Sequence, residues 1–174
     1  MTAKQSGHAN GAQRPTDFAD NVGRTILATK SADHQKRLGI YLTPVAVADF
    51  IASMIDLTPE PLRIMDPAAG SGTLLCAAIE KLAARHQSAE RSELEIVAYE
   101  IDKDLARGLE SVLECAAKFA SSENIRLRFR VVERDFLLEH AGLLSTSGQL
   151  FVPIRPNPFD LIVTNPPYFK LAKA

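Results

Sequence analysis

Behind Thr43-Pro44 the apolar residues Val47, Ile51 and Ile55 recur at four-residue spacing, which puts them on one helical face. Thr43 offers an N-cap, Pro44 suits the first helical turn, and Pro59 and Pro61 bar continuation, so the spacing predicts a helix from about Pro44 to Asp56. The run Arg63-Ile64-Met65-Asp66 is short and mostly apolar, and it ends on a carboxylate before a glycine-rich turn, as a buried parallel strand does. Leu75, Ile79 and Leu82 then mark a helical face reaching roughly to Arg85, with a polar segment from His86 to Ser92 behind it. Leu94 to Ile101 reads as a second buried strand. Asp102 can cap the next helix, whose Leu105, Leu109, Val112, Ala116 and Phe119 form an apolar stripe that needs a sheet to cover.

The pattern changes at Arg126, where Leu127, Phe129 and Val131 alternate with Arg126, Arg128 and Arg130. A period of two predicts a third strand with one wet face, and the arginines read as a solvated edge. A Gly/Ser/Pro-rich connector from about Ser145 to Pro158 precedes a fourth apolar run, Phe159 to Thr164. From Met1 to about Asn21 the chain is polar and small with almost no apolar period, which predicts a disordered or loosely ordered tail (1–21). Strands alternating with helices predict an α/β fold with right-handed crossovers and a mostly parallel sheet covered on both faces.

A length of 174 residues with 46% hydrophobic content suits one globular unit. Its 20 basic and 21 acidic residues nearly cancel, so the chain lacks the field of a dedicated nucleic-acid-binding domain, and any DNA contact must be local or come from elsewhere. Cys76 and Cys115 lie among helix formers and read as buried apolar thiols in a reducing compartment. No signal-peptide core and no run of about 18 apolar residues occurs, so a soluble, cytoplasmic protein is expected.

Three polar clusters fall at predicted strand ends, where open parallel sheets bind ligands. In Asp66-Pro67-Ala68-Ala69-Gly70-Ser71-Gly72 the glycines allow a tight turn, and Asp66 puts negative charge where a cationic group could rest. A phosphate-binding loop would want the opposite sign, and the G-x-G-x-x-G spacing of a nicotinamide-binding fold is missing. In Ala98-Tyr99-Glu100-Ile101-Asp102, Glu100 ends the second strand and can accept hydrogen bonds from both hydroxyls of an adenosyl ribose. Taken alone, the turn would equally serve as a tight connection and Glu100 as a solvated strand end. The third cluster, Asp160-Leu161-Ile162-Val163-Thr164-Asn165-Pro166-Pro167-Tyr168, is the most specific. Two prolines stiffen the backbone, Asn165 and the Pro166 carbonyl can accept from one NH₂ group, and Tyr168 can stack on the ring that bears it.

Together these residues resemble the class I S-adenosylmethionine-dependent methyltransferases, specifically the Asn-Pro-Pro-Tyr adenine-N6 DNA methyltransferases of restriction-modification systems. The similarity runs from about Gly39 to Tyr168, and Gly39-Ile40-Tyr41-Leu42-Thr43-Pro44 resembles the segment preceding the glycine-rich motif in one subgroup. The resemblance implies a Rossmann-like three-layer sandwich whose cofactor is S-adenosylmethionine. It implies that Asp66, Pro67, Ala68, Gly70 and Gly72 border the methionine portion, with Tyr41, Thr43 and Pro44 closing over it. Glu100 would bind the ribose and Ile101 pack on the cofactor adenine. Asp135-Phe136 resembles the pair in which Asp meets the adenine amino group and Phe lies on the ring, although Asp135 would equally cap a following helix.

The catalytic residues implied are Asn165, Pro166, Pro167 and Tyr168. Acceptors aimed at the hydrogens of an exocyclic amine free its lone pair for direct attack on an activated methyl, without a metal or strong base. The base must leave the duplex to reach them. The family's sheet has seven strands, so the resemblance also implies that residues 22–174 are the N-terminal part of a catalytic domain cut off after its catalytic motif. DNA would then be read by a missing C-terminal target-recognition region, or the enzyme completed by a complementary chain. The same loop resembles those of enzymes that methylate a glutamine amide in proteins or an amino group in RNA, and a non-catalytic cofactor-binding fragment is the remaining alternative.

Overall fold

The computed structural model describes residues 13–56, 61–86, 91–144 and 159–166. Three of the predicted strands form where expected: β1 (Leu62–Asp66), β2 (Ser92–Tyr99) and β3 (Ile125–Val132). The fourth, β4 (Leu161–Ile162), is only two residues long. All pair in parallel in the order β3-β2-β1-β4. Chain order therefore reverses beside β1, which makes its carboxyl end the switch point where a crevice opens.

Two crossovers close one face of this sheet. α4 (Thr73–Arg85) leads from β1 to β2, and α5 (Lys103–Ser122) from β2 to β3. Asp102 caps α5 as expected, its carboxylate accepting from the amides of Asp104 and Leu105 at 3.0 and 3.1 Å. Leu105, Leu109, Val112, Leu113, Ala116 and Ala120 are the buried stripe of that helix. All of these but Leu105 join Leu75, Ile79, Ile64, Ile96 and Ile125 in one core cluster.

Further helices join the same cluster: α1 (Pro15–Ala28), which packs on α4 and α5, and α3 (Val45–Met54), which packs on α4. α1 corrects the expected tail. Residues 15–21 belong to this helix, with Thr16 and Ala19 fully buried, while residues 1–12 lie outside the described part. Two features order it. Its first turn lacks a side-chain cap of its own, and Glu80 of α4 accepts from the Thr16 amide at 2.8 Å and from the Thr16 hydroxyl. Arg14 binds the same carboxylate at 2.6 Å and Asp49 at 2.8 Å. Its inner face is also small, so the backbone sits close: a Cβ on Gly23 would lie 2.7 Å from Leu42 and from Ser71. A short helix, α2 (Ala32–Leu38), follows; it starts on Ser31 and ends at Gly39 with φ +61°.

The second face is the one away from α4 and α5. Among the described residues it carries ion pairs towards the strands' amino ends, Arg63 with Glu95 at 3.1 Å and Arg128 with Glu93 at 2.7 Å. An apolar patch sits only near the carboxyl ends, where Met65, Val97 and Tyr99 pack with Phe136 of α6 (Phe136–Leu144). Charged side chains on alternate strand positions keep that half of the face wet. The three arginines of β3 are exposed, as a solvated edge requires. Cys76 is buried, Cys115 half-buried, and both thiols are free. No described helix is long and apolar enough to cross a membrane.

Candidate active site

The carboxyl ends of β1, β2 and β4 open onto a cavity of about 480 Å³, a volume typical of small-ligand sites. Asp66 finishes β1 and is 1% exposed. Its carboxylate accepts from the Ala68 amide at 3.0 Å and pairs with the Thr164 side chain. Burial pushes its pKa up to about 7, and the neighbouring Glu100 charge adds to the rise. Asp66 borders a second, water-sized recess of about 20 Å³ shared with Tyr41, Thr43, Gly70 and Asn165.

The turn that follows is fixed by the backbone. The Ala69 amide donates to the Tyr99 carbonyl and the Gly72 amide to the Ala69 carbonyl, both at 2.9 Å. Gly70 and Gly72 take φ of +57° and +82°, which side chains resist, and a Cβ on Gly72 would meet Leu109 at 2.5 Å. Gly72 therefore seats α4 against α5 and does not line the cavity. The Gly70 amide points instead at Glu100, donating to Oε2 at 2.9 Å, while the Asp102 amide donates to Oε1 at 2.7 Å. Glu100 is buried, and burial raises its pKa despite those amides. Glu100 thus lines the large cavity and Asp66 the small recess beside it, so that a buried carboxylate stands at each, suited to hydroxyl donors or a cation.

The remaining expected residues divide into those the fold gathers here and those it does not. Tyr41, Pro67, Ala68, Ile101, Asp135 and Phe136 line the large cavity with Glu100. Ile101 is 48% exposed and so presents an apolar side chain to it. Asp135 also caps α6, its Oδ1 accepting from Leu137 and Leu138 at 2.8 and 3.0 Å. Phe136 stacks edge-on against Tyr99, 5.1 Å between centroids. Pro44 lines neither recess and is the N-cap residue of α3.

Asn165 and Pro166 reach the cavity rim from β4. The Val163 amide donates to the Met65 carbonyl at 2.9 Å and so sets the loop beside Asp66. The Asn165 side-chain amide then donates to the Thr43 hydroxyl at 3.1 Å, which ties the loop to the segment before α3. Pro167 and Tyr168 lie outside the described residues. Leu38, Arg134, Leu137 and Thr164 line the cavity without having been singled out in the sequence. Thr164 alone carried a signal there, as the residue before the Asn-Pro pair.

Comparison with known proteins agrees with this geometry. The model of the N-6 DNA Methylase family matches residues 16–172. The Type II methyltransferase M.PstI of Providencia stuartii is 22% identical over 155 residues, which cover 89% of this chain and 29% of that protein. A crystal structure of a Listeria monocytogenes protein described as a class I S-adenosylmethionine-dependent methyltransferase superposes with a TM-score of 0.53 at 14% identity, over 88% of this chain and 39% of that one. That likeness shows the Rossmann-like class I fold. The chain spans under a third of the length of the curated relative it matches.

Proposed function

The chain belongs to the N-6 DNA methylase family, and from that membership we propose that it binds S-adenosylmethionine in the 480 Å³ cavity and methylates the N6 amino group of adenine in DNA. The observation that carries the reading is the convergence of Glu100 and the Asn165-Pro166 rim on that cavity, with Asp66 beside Asn165 on the adjoining recess. The residues present fit such a cofactor. A buried carboxylate pair suits ribose hydroxyls at Glu100 and a cationic amino acid group at Asp66, and the exposed Ile101 with Phe136 offers apolar surface to an adenine. When bound, S-adenosylmethionine supplies a methyl group on positively charged sulfur.

This chain's own residues then have to orient the acceptor. Asn165 and the Pro166 carbonyl accept hydrogens of the target amine, which lifts its lone pair out of ring conjugation. Pro166 has no amide hydrogen to compete for the carbonyl acceptors around it. Thr43 holds the Asn165 amide at the rim. With a nearly neutral sequence, grip on the DNA backbone is assigned to the target-recognition part of the protein.

A methyl-transfer assay with labelled cofactor and duplex DNA, followed by nucleoside mass spectrometry, tests the reading. N6-methyladenine should form, and Asn165→Ala should slow transfer at least about 100-fold. Full activity in that variant, or label appearing in glutamine side chains or RNA while DNA stays bare, would overturn it.

A further inference from the structure

Directly behind Glu100 lies a charged cluster that none of the motifs accounts for. Lys30 Nζ sits 2.9 Å and His34 Nε2 2.8 Å from Oδ2 of Asp102. The other oxygen of Asp102 caps α5, so this one carboxylate joins the α1–α2 turn to the tip of β2. Its surroundings are closed: the side chains of Asp102 and Lys30 are 3% and 11% exposed. Burial alone would raise the Asp102 carboxyl, but His34, Lys30 and the Leu105 amide bring it down to about 2. The turn is braced separately, since the Gln35 amide donates to the Leu27 carbonyl at 3.0 Å and Ser31 starts α2.

On the reading of Glu100 as the ribose carboxylate, we infer that Lys30 and His34 are positioning residues for cofactor binding, acting through Asp102. The route is short. The Asp102 amide donates to Glu100 Oε1 at 2.7 Å, so the placement of Asp102 sets the angle at which Glu100 faces the cavity. The Lys30 ammonium also balances the Asp102 charge, which otherwise repels a second carboxylate two residues away. The same tie anchors α2, which runs through Gly39 into the Tyr41 wall of the cavity.

Two variants weaken the tie while sparing the fold. Lys30→Met keeps the aliphatic stem, and Asp102→Asn keeps an oxygen that can cap α5. Hydrogen exchange on the ligand-free protein should show residues 31–42 exchanging about tenfold faster, with β1 unchanged. Unaltered exchange at 31–42 overturns the tie. Calorimetric titration with S-adenosylhomocysteine and with its 2′-deoxy analogue then reads the positioning. Wild type should prefer the full ribose, and both variants should lose about tenfold in affinity for it while losing much less for the deoxy analogue, so that the preference shrinks. A preference ratio equal to wild type overturns the inference, whatever happens to overall affinity. Wild-type protein that binds neither ligand would refute the cofactor reading itself, and the exchange measurement would still decide the tie.

Discussion

The cavity wall that carries Glu100 and the strand end at Asp66 are rooted in strands whose inner face is buried in the core, whereas the wall that carries Asn165 hangs from a two-residue strand. Leu62, Ile64, Leu94 and Ile96 are at most 1% exposed, and backbone amides hold both oxygens of Glu100. On the other side Ile162 is 58% exposed and only Val163 of that described segment is buried, and the loop is held by its short pairing with β1, by Thr164 at Asp66 and by the Thr43 hydroxyl. The Glu100 side is thus set by deep packing, and the Asn165 side by one buried residue and a few polar contacts. Local opening should concentrate in the second wall.

The contrast can be broken most severely from the core side. Ile96→Ala, at a fully buried position, should cost about 3–4 kcal/mol in unfolding free energy by denaturant titration. A cost below about 1 kcal/mol would mean that this wall is not core-anchored. Next in size, Asn165→Ala should remove about 3 kcal/mol of transition-state stabilisation while moving unfolding by under about 1 kcal/mol. A comparable loss of stability would make the loop part of the fold.

A third test uses pH. With Asp66 at about 7 in the free site and needed as a carboxylate by a cationic ligand, affinity should strengthen about tenfold between pH 6 and 8 and then level off, read by calorimetry. The stability consequence has the opposite sign. Because folding raises this carboxyl above its ordinary value of 3.8, the free protein loses stability as pH climbs from there towards 7. Asp66→Asn should therefore gain on wild type in melting temperature over that window. A gap that does not widen with pH would place the titration elsewhere. The smallest effect belongs to the exposed strand: Ile162→Thr should change stability by less than about 0.5 kcal/mol.

How much of this was legible follows the same division. β1, α4, β2, α5 and β3 announce themselves because each buries a continuous or periodic apolar run, and the Asp102 cap is local. α1 was harder. Phe18, Val22 and Ile26 do recur at four-residue spacing, but a tail boundary at Asn21 cuts that pattern, and the innermost positions are Thr16, Ala19 and Gly23. Its capping carboxylate, Glu80, lies 64 residues away. The ion pairs of Arg63, Glu93 and Glu95 were not legible, because these residues alternate with apolar neighbours inside strands that otherwise look buried. The site's charged motifs sit at strand ends and could be placed from sequence. Lys30 and His34 could not, since His34 meets Asp102 across 68 positions and nothing local marks either residue.

The sheet order also carries a consequence for assembly in time. β1 gains β2 and β2 gains β3 through single crossovers, but β1 meets β4 only through contacts such as Arg63 to Asp160, 97 residues apart. Closing so long a loop is slow beside forming the nearer pairs. During synthesis the chain up to β3 emerges first and can collapse around α1, α4 and α5. The Asn165 rim is then set onto a sheet whose Asp66 and Glu100 carboxylates are already in register, so this segment arrives after the rest of the described sheet.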